Sequence, residues 1–194
     1  MNTRTGHPSE SEQMPTTVAR AMAIARAAHA SQRDKQHRDY FDAHLTPIAH
    51  GAEALATALD AANAPHLVAA AWLHDVVEDT PYTPDALTAQ GIHPSVVSAV
   101  DSVTRRNGEP YPDLITRSCA HPLGRLVKLV DNSWNLVSNP DLAVIDPERA
   151  RALREERYLP ARARLLAAAD LTERSPAILR VRDALVGERE RLAR

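Results

Sequence analysis

The segment 69–80 constrains the fold of this chain more than any other stretch. It begins as a continuous apolar run and ends in two polar pairs, His74-Asp75 and Glu78-Asp79. On a helix, residues three or four apart share a face, so His74 lies beside Glu78, and Asp75 beside Asp79. Burying such groups without partners is costly. The segment therefore predicts a buried helix whose end carries four ionisable groups, which a divalent metal would compensate.

The composition favours a single all-α domain. Hydrophobic residues make up 44% of the 194 residues but aromatic residues only 4%, so we expect a core of Ala, Leu and Val. Abundant Ala, Leu and Arg favour helix, and no alternating strand pattern persists. We expect a disordered tail over residues 1–15 and one domain over 16–194 with about eight or nine helices, of which 146–194 are the C-terminal ones.

Charge and cysteine content exclude several classes of protein. The net charge of −2 and the absence of a basic recognition face argue against nucleic-acid binding. Cys119 is the single cysteine, which leaves no intrachain disulfide or cysteine-rich zinc site. No apolar run is long enough to span a membrane, and no signal peptide is visible. A cytoplasmic location is the resulting expectation.

Capping residues followed by proline predict most helix starts. The predicted capping residues are Thr16 or Thr17, Thr46, Asn63, Thr83, His93, Asp146 and Ser175. Gly91 is expected to close the helix that begins at Thr83. A further strong apolar helix is predicted over residues 122–137.

A metal site needs three or four nitrogen or oxygen ligands from the protein. His74 and Asp75 supply two. Asp131 is the best third candidate, because it follows an apolar run at a helical position where a core residue is expected. His44, at the mouth of the second helix, is the best fourth candidate. Taken singly, each histidine fits a packing or surface role equally well, and only their joint occurrence favours a site.

The order of these motifs resembles the HD-domain metal phosphohydrolases, and most of all the hydrolase domains of RelA/SpoT-type proteins and the stand-alone small alarmone hydrolases. Two signatures carry the resemblance: Leu-His-Asp-Val-Val-Glu-Asp-Thr at 73–80 and Gly-Arg-Leu-Val-Lys-Leu-Val-Asp-Asn-Ser-Trp-Asn-Leu at 124–136. The resemblance covers about residues 18–140. Weaker matches lie at 28–35, 40–49 and 100–104.

The resemblance implies a role for each matched residue. One divalent ion, usually manganese in this family, would be bound by His44, His74, Asp75 and Asp131. Glu78 and Asp79 would position and deprotonate the attacking water. The residues implied to meet or flank the nucleotide are Arg33, Lys35, Thr104, Lys128 and Asn135.

The implied reaction removes the 3′-pyrophosphate of guanosine tetra- or pentaphosphate and returns GDP or GTP, so the expected partner is a small-molecule nucleotide. Two alternatives stay open: hydrolysis of another nucleotide, such as a nucleoside monophosphate or NADPH, and nucleotide sensing without turnover. The helices after Pro147 lie outside the resemblance. They would complete the core or form a homodimer contact.

Three departures from the family pattern bear on the site. One extra residue separates Tyr40 from His44, which makes His37 and His50 rivals for the fourth ligand position. The loop 36–39 lacks the usual Gly and Pro. Trp134 replaces a smaller or polar residue near the pocket wall.

Overall fold

A computed structural model describes the backbone of residues 10–194 and the side chains from residue 17 onward. Every named element in that range is helical, which confirms the all-α class. The α-helices are Glu10–Ala28 (α1), Thr46–Ala58 (α2), Ala64–Leu73 (α3), Val76–Asp79 (α4), Pro84–Ala89 (α5), Pro94–Val103 (α6), Tyr111–Ala120 (α7), Gly124–Ile145 (α8), Pro147–Ala152 (α9), Leu159–Ala168 (α10) and Pro176–Leu192 (α11). Two π-helical segments, Phe41–Leu45 and Leu153–Tyr158, run directly into α2 and α10.

The helix starts predicted at Asn63, Thr83, His93, Asp146 and Ser175 are confirmed, since each of these residues directly precedes its helix. Thr46 is not a cap, because α2 continues directly from the π-helical segment and the Thr46 hydroxyl donates to the Phe41 carbonyl. The Thr83 hydroxyl accepts the backbone N–H of Ala86, and the Asp146 carboxylate accepts that of Arg149. These bonds satisfy amide groups that have no partner within the helix. The first helix differs from expectation, because it begins at Glu10 and not at Thr16 or Thr17. Residues 1–9 of the expected tail lie outside the described residues.

The helix expected to run through the two polar pairs is interrupted. Helix α3 ends at Leu73, His74 and Asp75 form a turn, and α4 begins at Val76. Asp75 has φ −101° and ψ −6°, the region where helical hydrogen bonding stops but the chain still turns. The two polar pairs therefore belong to a turn and a separate short helix.

Helix α8 is longer than the predicted 122–137 and continues through Pro140 to Ile145. Its buried face continues past the predicted end, where Asn139 and Leu142 are both buried. The Asn139 side chain donates a hydrogen bond to the backbone carbonyl of Ala150 at 3.1 Å. Packing against the following helix thus outweighs the helix-breaking effect of a proline.

Helix α3 forms the centre of the core, since every residue from Leu67 to Leu73 is buried. Helix α2 lies so close to α8 and α11 that a Cβ on Gly51 would come within 2.7 Å of Val130. Val181 and Leu185 of α11 belong to the same core cluster as α3. The C-terminal helices therefore complete the core. Among the described residues, no helix has the length and hydropathy to cross a membrane.

Candidate active site

His44 reaches the site from the π-helical segment Phe41–Leu45. A π-helical turn holds one more residue than an α-helical turn, so this segment absorbs the extra residue between Tyr40 and His44. The two rival histidines lie elsewhere: His37 is exposed on the loop at φ 63°, and the His50 Nδ1 atom is 2.7 Å from Glu188.

The four predicted metal ligands lie together although they come from three separate parts of the chain. Ligand atoms of His44, His74 and Asp131 all lie within 4.8 Å of one another. The Asp75 Oδ2 atom is 3.2 Å from His44 Nε2 and 3.0 Å from His74 Nε2. Two imidazoles and two carboxylates make a donor set that suits manganese, iron or zinc.

The His74 ring is oriented as a metal ligand would be. Its Nδ1 atom lies 2.8 Å from the backbone carbonyl of Ala71, so Nδ1 carries the proton and Nε2 faces the cluster. The Nε2 atom is buried and has no aligned hydrogen-bond partner among the described residues, although Asp75 lies close by. An unsatisfied buried nitrogen is costly, and coordination to a cation would satisfy it.

The cluster attracts positive charge. Burial lowers the pKa of His74, but the adjacent Asp75 carboxylate more than offsets this and raises the pKa to about 9. Burial raises the pKa of Asp75, yet His74 and His44 outweigh it and hold that pKa well below its usual range. Lys128 balances the second carboxylate, with its Nζ atom 2.8 Å from Asp131. A cation bound here would face two ionised carboxylates.

Glu78 and Asp79 are held by different partners. The Glu78 carboxylate accepts the backbone N–H of Arg105 at 2.7 Å, and Asp79 accepts the side-chain amide of Gln32 at 2.8 Å. Burial raises the pKa of Glu78, and the Arg105 N–H only partly offsets it. A carboxylate with a raised pKa is better matched to proton transfer near neutral pH.

A cavity of about 310 Å³ opens beside the cluster. His44, Asp79 and Asn135 lie on its wall together with the loop after α1. The residues that line it are Gln32, Arg33, Asp34, Lys35, Gln36, Arg38, Tyr40, Ala43, His44, Asp79, Trp134, Asn135, Ser138, Asn139, Leu142 and Tyr158. Such a volume is in the range of small-molecule sites.

Hydrogen bonds and ion pairs within the loop 32–39 hold its shape. The Asp34 carboxylate accepts the backbone N–H groups of Gln36 and Arg38 and pairs with the Arg38 side chain at 2.8 Å. On the cavity side, the Arg33 guanidinium pairs with Asp39 at 2.9 Å. The Lys35 Nζ atom lies 3.5 Å from the Tyr158 hydroxyl.

Of the other residues implied to meet the substrate, one lines the cavity and two are buried outside its lining. Asn135 lines the cavity and donates to Asp131 Oδ1 at 2.6 Å. Lys128 is buried against Asp131. Thr104 does not line the cavity. Its hydroxyl donates to the Val100 carbonyl. Trp134 is 2% exposed, so its ring belongs mainly to the core.

Tyr40 and His29 lie at the candidate site, although neither was predicted to have a role there. The Tyr40 hydroxyl donates to Asp75 Oδ2 at 2.5 Å. Its ring lies between His44, at 4.8 Å, and His29, at 5.2 Å between ring centroids. The only sequence signal for either residue is its place in the matched segments 28–35 and 40–49.

Comparison with known proteins identifies the fold. No model of a known protein family matches the chain, and no curated protein matches it significantly. Among solved structures, it is similar to a metazoan ortholog of SpoT that hydrolyses ppGpp and plays a role in starvation responses. The two share 20% identity over 96% of this chain and 98% of that chain, with a TM-score of 0.63. The chain therefore has the fold of that SpoT ortholog, as the resemblance implied.

Proposed function

We propose that this protein is a metal-dependent phosphohydrolase that removes the 3′-pyrophosphate of guanosine tetra- or pentaphosphate. The observation that carries the proposal is the convergence of the side-chain donor atoms of His44, His74, Asp75 and Asp131 in one cluster. Two further carboxylates, those of Glu78 and Asp79, follow His74 and Asp75 in the chain. The proposal is supported by the shared fold with a SpoT ortholog that hydrolyses ppGpp.

The four ligands would hold one divalent ion, and we propose manganese. When bound, such an ion lowers the pKa of a coordinated water and neutralises phosphate oxygens. Tyr40 would keep the Asp75 carboxylate in place through its hydrogen bond. Asn135 would do the same for Asp131.

Glu78 would act as the general base. Its carboxylate is partly desolvated, and the Arg105 N–H fixes one of its oxygens, so the other oxygen is left to accept the proton of the attacking water. Asp79 would orient that water. The water oxygen would bond to the phosphorus next to the ribose 3′ oxygen, the bond between that phosphorus and the ribose oxygen would break, and the 3′ oxygen would take up a proton.

The cavity would hold the nucleotide. Lys35 and Arg33 lie on its wall, where an ammonium and a forked guanidinium can meet phosphate oxygens. Arg33 would exchange its bond to Asp39 for a bond to the substrate. Lys128 and Asn135 would meet the substrate next to the metal cluster. Thr104 would support the segment that carries Arg105.

The test is hydrolysis of guanosine tetraphosphate by the purified chain, with manganese, with zinc and with chelator, the products being separated by chromatography. We expect GDP and pyrophosphate only when metal is present. Turnover of a nucleoside monophosphate or NADPH but not of guanosine tetraphosphate would show that the proposed substrate is wrong, while phosphohydrolysis as the reaction class would stand. Binding without turnover of any nucleotide would favour the sensor alternative.

A further inference from the structure

His29 is a fully buried polar side chain for which the proposed reaction has no use. It follows the last residue of α1 and is 0% exposed. Its Nδ1 atom lies 2.6 Å from Gln32 Oε1, whereas its Nε2 atom has no hydrogen-bond partner among the described residues. Keeping an unsatisfied nitrogen buried costs stability, which a purely space-filling apolar residue would avoid.

Gln32 links this histidine to the candidate catalytic pair. Its Nε2 atom donates to Asp79 Oδ2 at 2.8 Å. An ionised carboxylate can only accept hydrogen bonds, so the amide nitrogen must face Asp79 and the amide oxygen must face His29. The His29 Nδ1 atom must therefore carry the proton and donate it to Gln32. Together, these contacts fix the amide orientation and the imidazole tautomer.

Two backbone hydrogen bonds hold the main chain of Gln32 between His29 and Tyr40. Its N–H donates to the His29 carbonyl at 3.0 Å, and its carbonyl accepts the N–H of Tyr40 at 3.1 Å. The Tyr40 ring packs against the His29 ring on one side. The backbone of Gln32 is thus fixed, and its side-chain amide is held between His29 and Asp79.

We propose that His29 is a positioning residue for Asp79 that acts through Gln32. The proposal rests on the function given above, in which Asp79 orients the attacking water. His29 does not line the cavity, and its side-chain hydrogen bond is to Gln32. Its donated hydrogen bond keeps the Gln32 nitrogen turned toward Asp79, which holds the carboxylate in one orientation.

The tautomer of His29 provides a test that does not depend on activity. We expect ¹⁵N NMR of the metal-free chain to show His29 protonated at Nδ1, with His29→Phe used to assign the signals. A ring protonated at Nε2 alone would turn the Gln32 oxygen toward the Asp79 carboxylate, and that result would overturn the proposal. The measurement tests the link from His29 to Gln32 separately from the proposed function, because it does not need turnover.

Kinetics separate positioning from packing. His29→Phe keeps the bulk but removes the donor, and we expect kcat for guanosine tetraphosphate to fall about 10- to 100-fold at little changed KM. His29→Asn is smaller and packs less well, but its amide can donate from near the Nδ1 position. We therefore expect it to keep more of kcat than His29→Phe while losing more in Tm.

Gln32→Met should reproduce the loss seen in His29→Phe, because it breaks the same link. The matched control is Gln90→Met, since Gln90 is an exposed residue bonded to Tyr82 away from the cavity. If His29→Asn loses as much kcat as His29→Phe, or if the kcat of all variants simply follows Tm, His29 is structural and the proposal fails.

Discussion

The metal cluster and the loop 32–39 form adjoining parts of the same site but are built in opposite ways. The cluster side chains come from a π-helical segment, the turn after α3 and helix α8. None of them is more than 16% exposed. In the loop, the Arg33 and Asp39 side chains are 54% and 38% exposed. Their contacts are mostly to one another or to near neighbours in sequence.

This difference implies that metal binding and substrate binding depend on different forces. The cluster geometry is fixed by packing before any ligand arrives, so it is preorganised. Arg33 and Arg38 are paired with acidic residues of the same loop in the free protein, so a nucleotide that binds either of them must exchange an existing pair for a new one. Changes in the cluster should therefore affect stability, metal affinity and kcat together, and changes in the loop should affect mainly KM.

The largest expected effect comes from Asp131→Ala. It removes one candidate ligand and leaves the buried Lys128 ammonium without its partner, which costs about 3–5 kcal/mol of unfolding free energy. We expect loss of manganese binding by calorimetry and loss of hydrolysis. The control is Asp141→Ala on the same helix, where the partly exposed pair with Arg189 is worth about 0–1 kcal/mol. Equal destabilisation by both variants would contradict the expectation that the buried pair stabilises the protein more than the partly exposed pair does.

Glu78→Gln should separate chemistry from metal binding within the cluster region. The amide cannot take a proton from water, so kcat should fall by about 10²–10⁴-fold. Manganese affinity should stay near that of the wild type, because Glu78 is not among the ligands. Glu53→Gln, at an exposed position of α2, is the matched control. Loss of the metal in Glu78→Gln would assign that carboxylate to the ligand set instead.

The helices and the cluster could be predicted from the sequence because each leaves a periodic or local signal. Thr83 and Asp146 are capping residues with proline next to them, and Asp131 interrupts an apolar face. The turn at His74 had no such signal, and the helical spacing argument placed Asp75 and Glu78 on one uninterrupted helix, which is wrong.

The loop could not be predicted in the same way. The bonds of the Asp34 carboxylate to two amides of its own loop depend on local backbone angles, as does the positive φ of His37. The link from Gln32 to Asp79 joins residues 47 positions apart and appears in no periodic pattern. The extra residue before His44 was visible in the sequence, but its accommodation in a π-helical segment was not.

In the loop, we expect Lys35→Ala to raise KM for guanosine tetraphosphate. A hydrogen bond to a charged group contributes about 1.5–3 kcal/mol, which corresponds to about a 10- to 100-fold rise, with kcat and manganese affinity little changed. Arg151→Ala removes an exposed positive charge on α9 and serves as the control for net charge. A fall in kcat at constant KM would mean that the loop takes part in the chemistry, and that loop and metal cluster do not have separate roles.

The smallest expected effect tests the docking of α11, which completes the core. The Glu188 carboxylate lies 2.7 Å from His50 on α2 and 2.8 Å from Arg191. Burial raises its pKa, but the hydrogen bonds from His50 and Arg191 outweigh this and lower it. A lowered pKa in the folded state stabilises the protein above the unfolded value of about 4.3.

That stabilisation should disappear as the pH falls through the folded-state pKa of Glu188, where both states become protonated. Glu188→Gln should therefore cost about 1 kcal/mol or less of unfolding free energy at pH 7, because the pair is partly screened by solvent. The difference between variant and wild type should shrink toward zero in acid, as measured by urea unfolding across that range. A difference that persists in acid would show that Glu188 stabilises α11 by packing and not by its charge, and kcat should be unaffected in either case.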